Sequence, residues 1–203
     1  MTEPLNPSLV EGTEALARRL VEGDVEPPGG AIAALVAAWA AALAAAAADR
    51  SRQGWDGAAG ARAQAQSLHT RALRLVDRGT RAHAVAMETL AERGRRAGVG
   101  AERSEAQDWR LGQAVREAAQ PPLELSACAL SVAQLAELIS SHAAGAVRAD
   151  AAVAAQLAAA AARAGAHLVE INLVVGGDRQ PAVQARELAE AAAAVASRAS
   201  ALD

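Results

Sequence analysis

From Pro27 to Ala48 the chain carries no charged side chain, and most of that stretch is Ala. Ala is the best helix former, so the run predicts a helix over about Ala31 to Asp49. Only Ile32, Leu35, Val36, Trp39 and Leu43 are large and apolar. They follow i, i+3, i+4, i+7, i+11 spacing, a stripe on one face rather than an all-round apolar cylinder. The length would suit a membrane span, but Ala gains little in lipid, and the stripe predicts burial in a bundle or against a second subunit. The same bias runs through the whole molecule. Of 203 residues 60 are Ala, and three Trp are the only aromatics. A core without Phe or Tyr argues against a β-sandwich or barrel. Short side chains let helices approach closely but bury little each, so stability is expected from long helices and from a partner copy. The expected fold is all-α, a bundle of about six to eight helices in one domain over residues 1–203, forming a homodimer.

Charge narrows the function. The formal net charge is −3, all 20 basic residues are Arg, and they are scattered. That pattern lacks the basic face of a nucleic-acid binder. The lone Cys128 excludes an internal disulfide and a Cys-based zinc site, and in its apolar helical stretch it reads as a small core residue. The opening MTEPLNPSLVEG has no basic region followed by an apolar run, so no secretory signal is expected and the cytoplasm is the expected compartment. Neither a membrane nor a nucleic acid is expected as a partner.

Along the chain, Asn6-Pro7 reads as an N-cap with Pro at the first helical position, opening a helix to about Val21. Glu22 to Gly30 reads as a loop that Pro27-Pro28-Gly29-Gly30 closes. After a break at Ser51 to Gly60, a long helix is predicted over about Ala61 to Arg93, with Leu68, Ala72, Leu75, Gly79, Ala82, Ala86 and Leu90 on its inner stripe. Gly94 to Gly100 reads as a turn. A helix over about Ser104 to Ala119 is expected to kink or break at Pro121-Pro122 and resume through Ile139. Another covers about Val147 to Ala164. Ile171 to Val175 could be a short strand or an extended helix end, Gly176 to Asp178 a turn, and a last helix runs from about Pro181 to Arg198.

Few residues carry chemistry. No two of His69, His83, His142 and His167 sit four apart with a carboxylate between, so no metal site of that kind is expected. His83, one turn after Gly79 and beside the inner stripe, is the histidine placed to face a ligand. The glycines of the PPGG segment let backbone approach a ligand, and the amides of the following first turn are unpaired donors with a favourable dipole. A plain loop and cap would read the same way from spacing alone. Asn172 lies in an apolar run, where a buried amide needs partners.

PPGGAIAALVAAWAAALAAAAADRS resembles the opening motif of the cyclodeaminase/cyclohydrolase family, roughly PGGGS-V-A-A-L, a small-residue helix, then A-N-L-T. Later segments agree in order. LVDRGTRAHAVAM is similar to the family's L-x-D-x-D-x-x-A-F helix, WRLGQAVREAAQPPLEL to its R-x-x-A-I-x-x-A segment ending in P-L-E, and RADAAVAAQLAAAAARAGAHLVEINL to its S-D-x-x-V-A-A stretch closing on I-N-L. The resemblance spans about Leu16 to Asp178.

It implies a dimeric helical bundle whose substrate is a tetrahydrofolate derivative, with no metal. The implied reaction is closure of formiminotetrahydrofolate with loss of ammonia, or opening of methenyltetrahydrofolate by water. By position, Pro27, Gly29 and Gly30 match the glycine loop, and Asp49 and Ser51 stand for the family's Asn and Thr. Asp77 matches the first acid of the helix motif, Arg110 the arginine before the prolines, Asp150 the acid of S-D and Asn172 the asparagine of I-N-L. Asp77 and Asp150 are thereby expected acid/base groups, and His83 joins them for its place one turn after Gly79. Pro27, Gly29, Gly30, Asp49, Ser51, Arg110 and Asn172 are the expected ligand-binding residues. Capping alone would equally explain Asp49, Ser51 and Asp150. The departures are as informative: Pro28 and Ala31 replace a glycine and the serine of the loop, Gly79 replaces the second acid, Ala149 replaces the serine before Asp150, and Leu168 stands where Asn is usual. A non-catalytic relative using the same bundle to bind or assemble is the alternative reading.

Overall fold

The structure, a computed structural model, describes residues 7–23, 28–98, 105–174 and 179–201. Those residues form six helices and no strand: α1 Pro7–Val21, α2 Pro28–Arg50, α3 Ala58–Gly98, α4 Glu105–His142, α5 Gly145–Asn172 and α6 Gln180–Ala199. α4 packs on α2, α3, α5 and α6, α5 packs on α2, α4 and α6, and α3 packs on α2 and α4. The predicted all-α bundle is therefore what forms, and the core is made largely of Ala. α2 buries Ala34, Ala37, Ala38, Ala41, Ala44 and Ala48, and α5 buries Ala151, Ala154, Ala155, Ala158 and Ala162. Side chains this short let helix axes come close, and Gly165 marks the limit. A Cβ there would stand 2.6 Å from Ser126 Oγ and 2.8 Å from the Pro122 carbonyl oxygen.

Several boundaries differ from expectation. α2 starts at Pro28, three residues before Ala31, because Pro suits a first helical turn that needs no N–H there. Gly29 and Gly30 are thus first-turn residues, not loop. α3 runs on through Gly94 to Gly98, so residues 94–98 of the expected turn are helix. α4 passes through Pro121 and Pro122 without a break. Ile171 and Asn172 are the last turn of α5, which settles that segment as helix end rather than strand. Pro27, the Asn6 cap and the turn at Gly176 to Asp178 lie outside the described residues.

α1 stands apart, making no extended contact with the other helices. Three helical segments, Gly29–Arg50, Glu105–His142 and Gly145–Asn172, are long and apolar enough to cross a membrane. About half of each apolar window is buried against the rest of the bundle.

Candidate active site

The first turn of α2 opens onto a cleft of about 130 Å³, open to solvent and bounded by α2, α3, α4 and α5. Gly29, Gly30 and Ala31 form one end, and the Gly29 and Gly30 amides, in the first turn, have no acceptor within the helix. Leu75, Gly79, Thr80 and His83 of α3 form one wall, and Pro121, Pro122 and Leu125 of α4 another. The last turns of α5 close it with Leu168, Ile171 and Asn172. The lining is mostly apolar. Its polar side chains are Thr80, His83 and Asn172, and no carboxylate is among the described residues that line it. Gly79 leaves room, since a Cβ there would meet only Pro121 Cβ, at 3.8 Å.

Of the four histidines, His83 alone lines this cleft among the described residues. His69 is tied to α2 through Nδ1 and the Ala38 carbonyl oxygen at 2.9 Å. His142 stacks on Trp55 with ring centroids 4.6 Å apart, and His167 is exposed. Asn172 is held by its Nδ2, which donates to the Ala118 carbonyl oxygen at 2.8 Å. Thr80 donates its hydroxyl to the Val76 carbonyl at 2.9 Å. Nothing in its helical context distinguished Thr80 from any exposed threonine, and the sequence reading passed it over.

A second hollow shares His83, Ala118, Ile171 and Asn172 with the first and continues between α3 and α4 past Met87, Leu90, Leu111 and Val115. Beyond it lies a small polar depression lined by Thr89, Glu92, Arg93, Gln107 and Arg110. Arg110 is therefore not in the main cleft but in a separate depression between α3 and α4. Its Nε donates to the Ala106 carbonyl at 3.3 Å. From His83 to Arg93 α3 rises about 15 Å.

The remaining expected residues lie elsewhere. Asp77 is exposed on α3 and lines no part of the cleft. Two residues before Gly79, it points about 200° around the helix from it. Asp49, Ser51 and Asp150 sit at the far end of α2, about 30 Å along the helix from Gly30. There Asp150 pairs with Arg50 at 2.6 Å. Asp49 pairs with Arg52 at 2.8 Å and Arg62 at 3.4 Å. Ser51 is buried and donates to the Ala47 carbonyl at 3.0 Å, ending the helix as a capping side chain does. The physical reason is direction: α2 and α5 run antiparallel, so the start of α2 meets the end of α5, and Asp49 and Asp150 meet at the opposite pole. Within one chain the glycine turn and Asn172 come together, and the two aspartates do not join them.

The nearest carboxylate on α4 is Glu124, one turn from the prolines. It is committed to Arg78 of α3 through contacts of 2.6 and 2.9 Å. Those hydrogen bonds hold its carboxyl below the usual carboxylate range, against the opposing effect of burial. Burial pushes the Cys128 thiol up, which removes it as a nucleophile.

The fold and this cleft describe an all-helical protein with a largely apolar cleft beside one histidine. Residues 13–200 match the family model described as formiminotransferase-cyclodeaminase, and the chain belongs to that family. Among solved structures it is similar to the crystal structure of formiminotetrahydrofolate cyclodeaminase from Thermotoga maritima. The TM-score is 0.73 at 21% identity, covering 85% of each chain. A comparison with curated proteins gives no match.

Proposed function

We propose that the cleft binds a reduced folate and that the chain acts on its one-carbon unit. Either formiminotetrahydrofolate is closed with release of ammonia, or methenyltetrahydrofolate is opened by water. The observation that supports this most is the convergence of Gly29, Gly30, His83 and Asn172 on one cleft in a chain of this family. The heterocyclic head fits between the first turn of α2 and Asn172. The aromatic middle lies along Met87, Leu90 and Val115, and the anionic glutamate tail reaches Arg110. Arg suits a carboxylate because its guanidinium forms paired hydrogen bonds.

Both reactions pass through a tetrahedral carbon between two nitrogens, and both need one proton taken and one returned. His83 is the group placed for that, since an imidazole can do either. Asp77 and Asp150 do not line the cleft within one chain. A second reading has one specific observation in its favour: Gly79 occupies the place of a family carboxylate and no other described side chain supplies one. On that reading the protein binds the ligand and does not turn it over.

The test is the absorbance of methenyltetrahydrofolate with and without the protein. Catalysed decay that falls at least a hundredfold in His83→Ala, with binding kept, supports the enzyme. Saturable binding without decay supports the second reading, and Gly79→Asp is then the variant expected to gain turnover. Absence of binding contradicts both.

A further inference from the structure

In an α-helix the carbonyl of residue i accepts the N–H of residue i+4. α4 runs unbroken through Pro121 and Pro122, and proline has no N–H. The carbonyls of Glu117 and Ala118 are therefore left without their helical donors. Ala118 is buried, and a buried carbonyl without a donor is costly. The structure fills the gap from another helix, with Asn172 Nδ2 of α5 donating to the Ala118 oxygen at 2.8 Å.

The register that permits this is built into α5. Gly165 lies against Ser126 and the Pro122 carbonyl with no room for a Cβ, and Ser126 Oγ reaches the Ala162 carbonyl at 3.0 Å. Asn172 is seven residues further, two turns along the same face, opposite Ala118. With Nδ2 anchored, Oδ1 is the amide atom left for another donor. No buried side-chain N or O among the described residues lacks a partner, so Oδ1 is open where Asn172 lines the cleft.

We propose that Pro122 is a positioning residue. By withholding one backbone N–H it frees the Ala118 carbonyl to lock the Asn172 amide, so that Oδ1 is presented to the cleft as a fixed acceptor for a ligand N–H. The recognised edge of the ligand thus carries a donor at Asn172, with an acceptor toward the first-turn amides of α2. This ligand preference rests on the folate reading; the lock itself does not.

The chain has two asparagines, Asn6 and Asn172, so selective asparagine ¹⁵N labelling shows two side-chain amide pairs. The lock predicts that the Asn172 pair exchanges with solvent at least tenfold more slowly than a free side-chain amide. Pro122→Ala, which restores the N–H, should abolish that protection while the helical circular dichroism and Tm hold. Pro121→Ala, which restores the donor to Glu117 instead, should keep it. Titrated with 5-formyltetrahydrofolate, the wild type should shift the Asn172 pair, and Pro122→Ala should bind about tenfold more weakly, one hydrogen bond's worth. An unprotected Asn172 amide in the wild type overturns the lock even if no variant folds, and so does protection that survives Pro122→Ala. A protected amide with no response to the folate leaves the lock standing and removes the folate reading.

Discussion

Gly165 and Gly79 are both small, for opposite reasons. At Gly165 a Cβ would press on Ser126 Oγ and the Pro122 carbonyl, at 2.6 and 2.8 Å. Gly165→Ala should therefore destabilise the protein by about 1–3 kcal/mol, read by denaturant melts. At Gly79 the space is real, and a side chain there enters the cleft. Cys128 is fully buried with its thiol pushed up, so a thiol reagent should label it only after denaturant is added. At this scale the sequence was informative where a residue type clashed with its context. An amide in an apolar run, Asn172, had to find partners, and it did. A glycine on an inner stripe, Gly79, marked a wall of the cleft. Asp77 is exposed and does not line the cleft. Spacing of two residues turns it away from Gly79, and that much could have been worked out from the period alone.

The helices themselves were legible because Ala and the 3.6-residue stripe specify them without help from tertiary context. Their ends were not. Residues Pro28 to Gly30 look like loop until the first-turn preference for Pro is allowed for. The break expected at Pro121-Pro122 does not occur, because a neighbouring helix supplies a donor to one freed carbonyl. Asp150 went astray for a topological reason, since nothing in the sequence states that α2 and α5 are antiparallel. The Arg78–Glu124 pair joins α3 to α4 beside the cleft. Because its carboxyl ionises at lower pH when folded, its contribution is complete above the usual carboxylate range and fades as pH falls through the folded value. Wild-type stability should therefore drop more steeply than that of Glu124→Gln between about pH 5 and pH 3. The difference should stay within about 1 kcal/mol, because both side chains are at least a third exposed.

Over the whole molecule, the inner stripe of α3 is covered only in part. Leu68, Ala72 and Leu75 are buried, but Val85 on α3 and Trp109 on α4 are exposed and line neither hollow. Among the described residues α1 makes no extended contact with another helix. These uncovered faces support the proposal of a homodimer, for which light scattering should give twice the chain mass and a Tm that rises with protein concentration. A chain-mass particle with a concentration-independent Tm would contradict it. The account depends most on the cleft at the start of α2 being the folate site. Calorimetric titration of 5-formyltetrahydrofolate into the wild type and into Gly79→Leu tests that directly, because the leucine fills the cleft beside His83. Saturable binding of one ligand per chain, lost in Gly79→Leu while Tm is maintained, is the predicted result. Equal binding by both proteins, or none by the wild type, would contradict it.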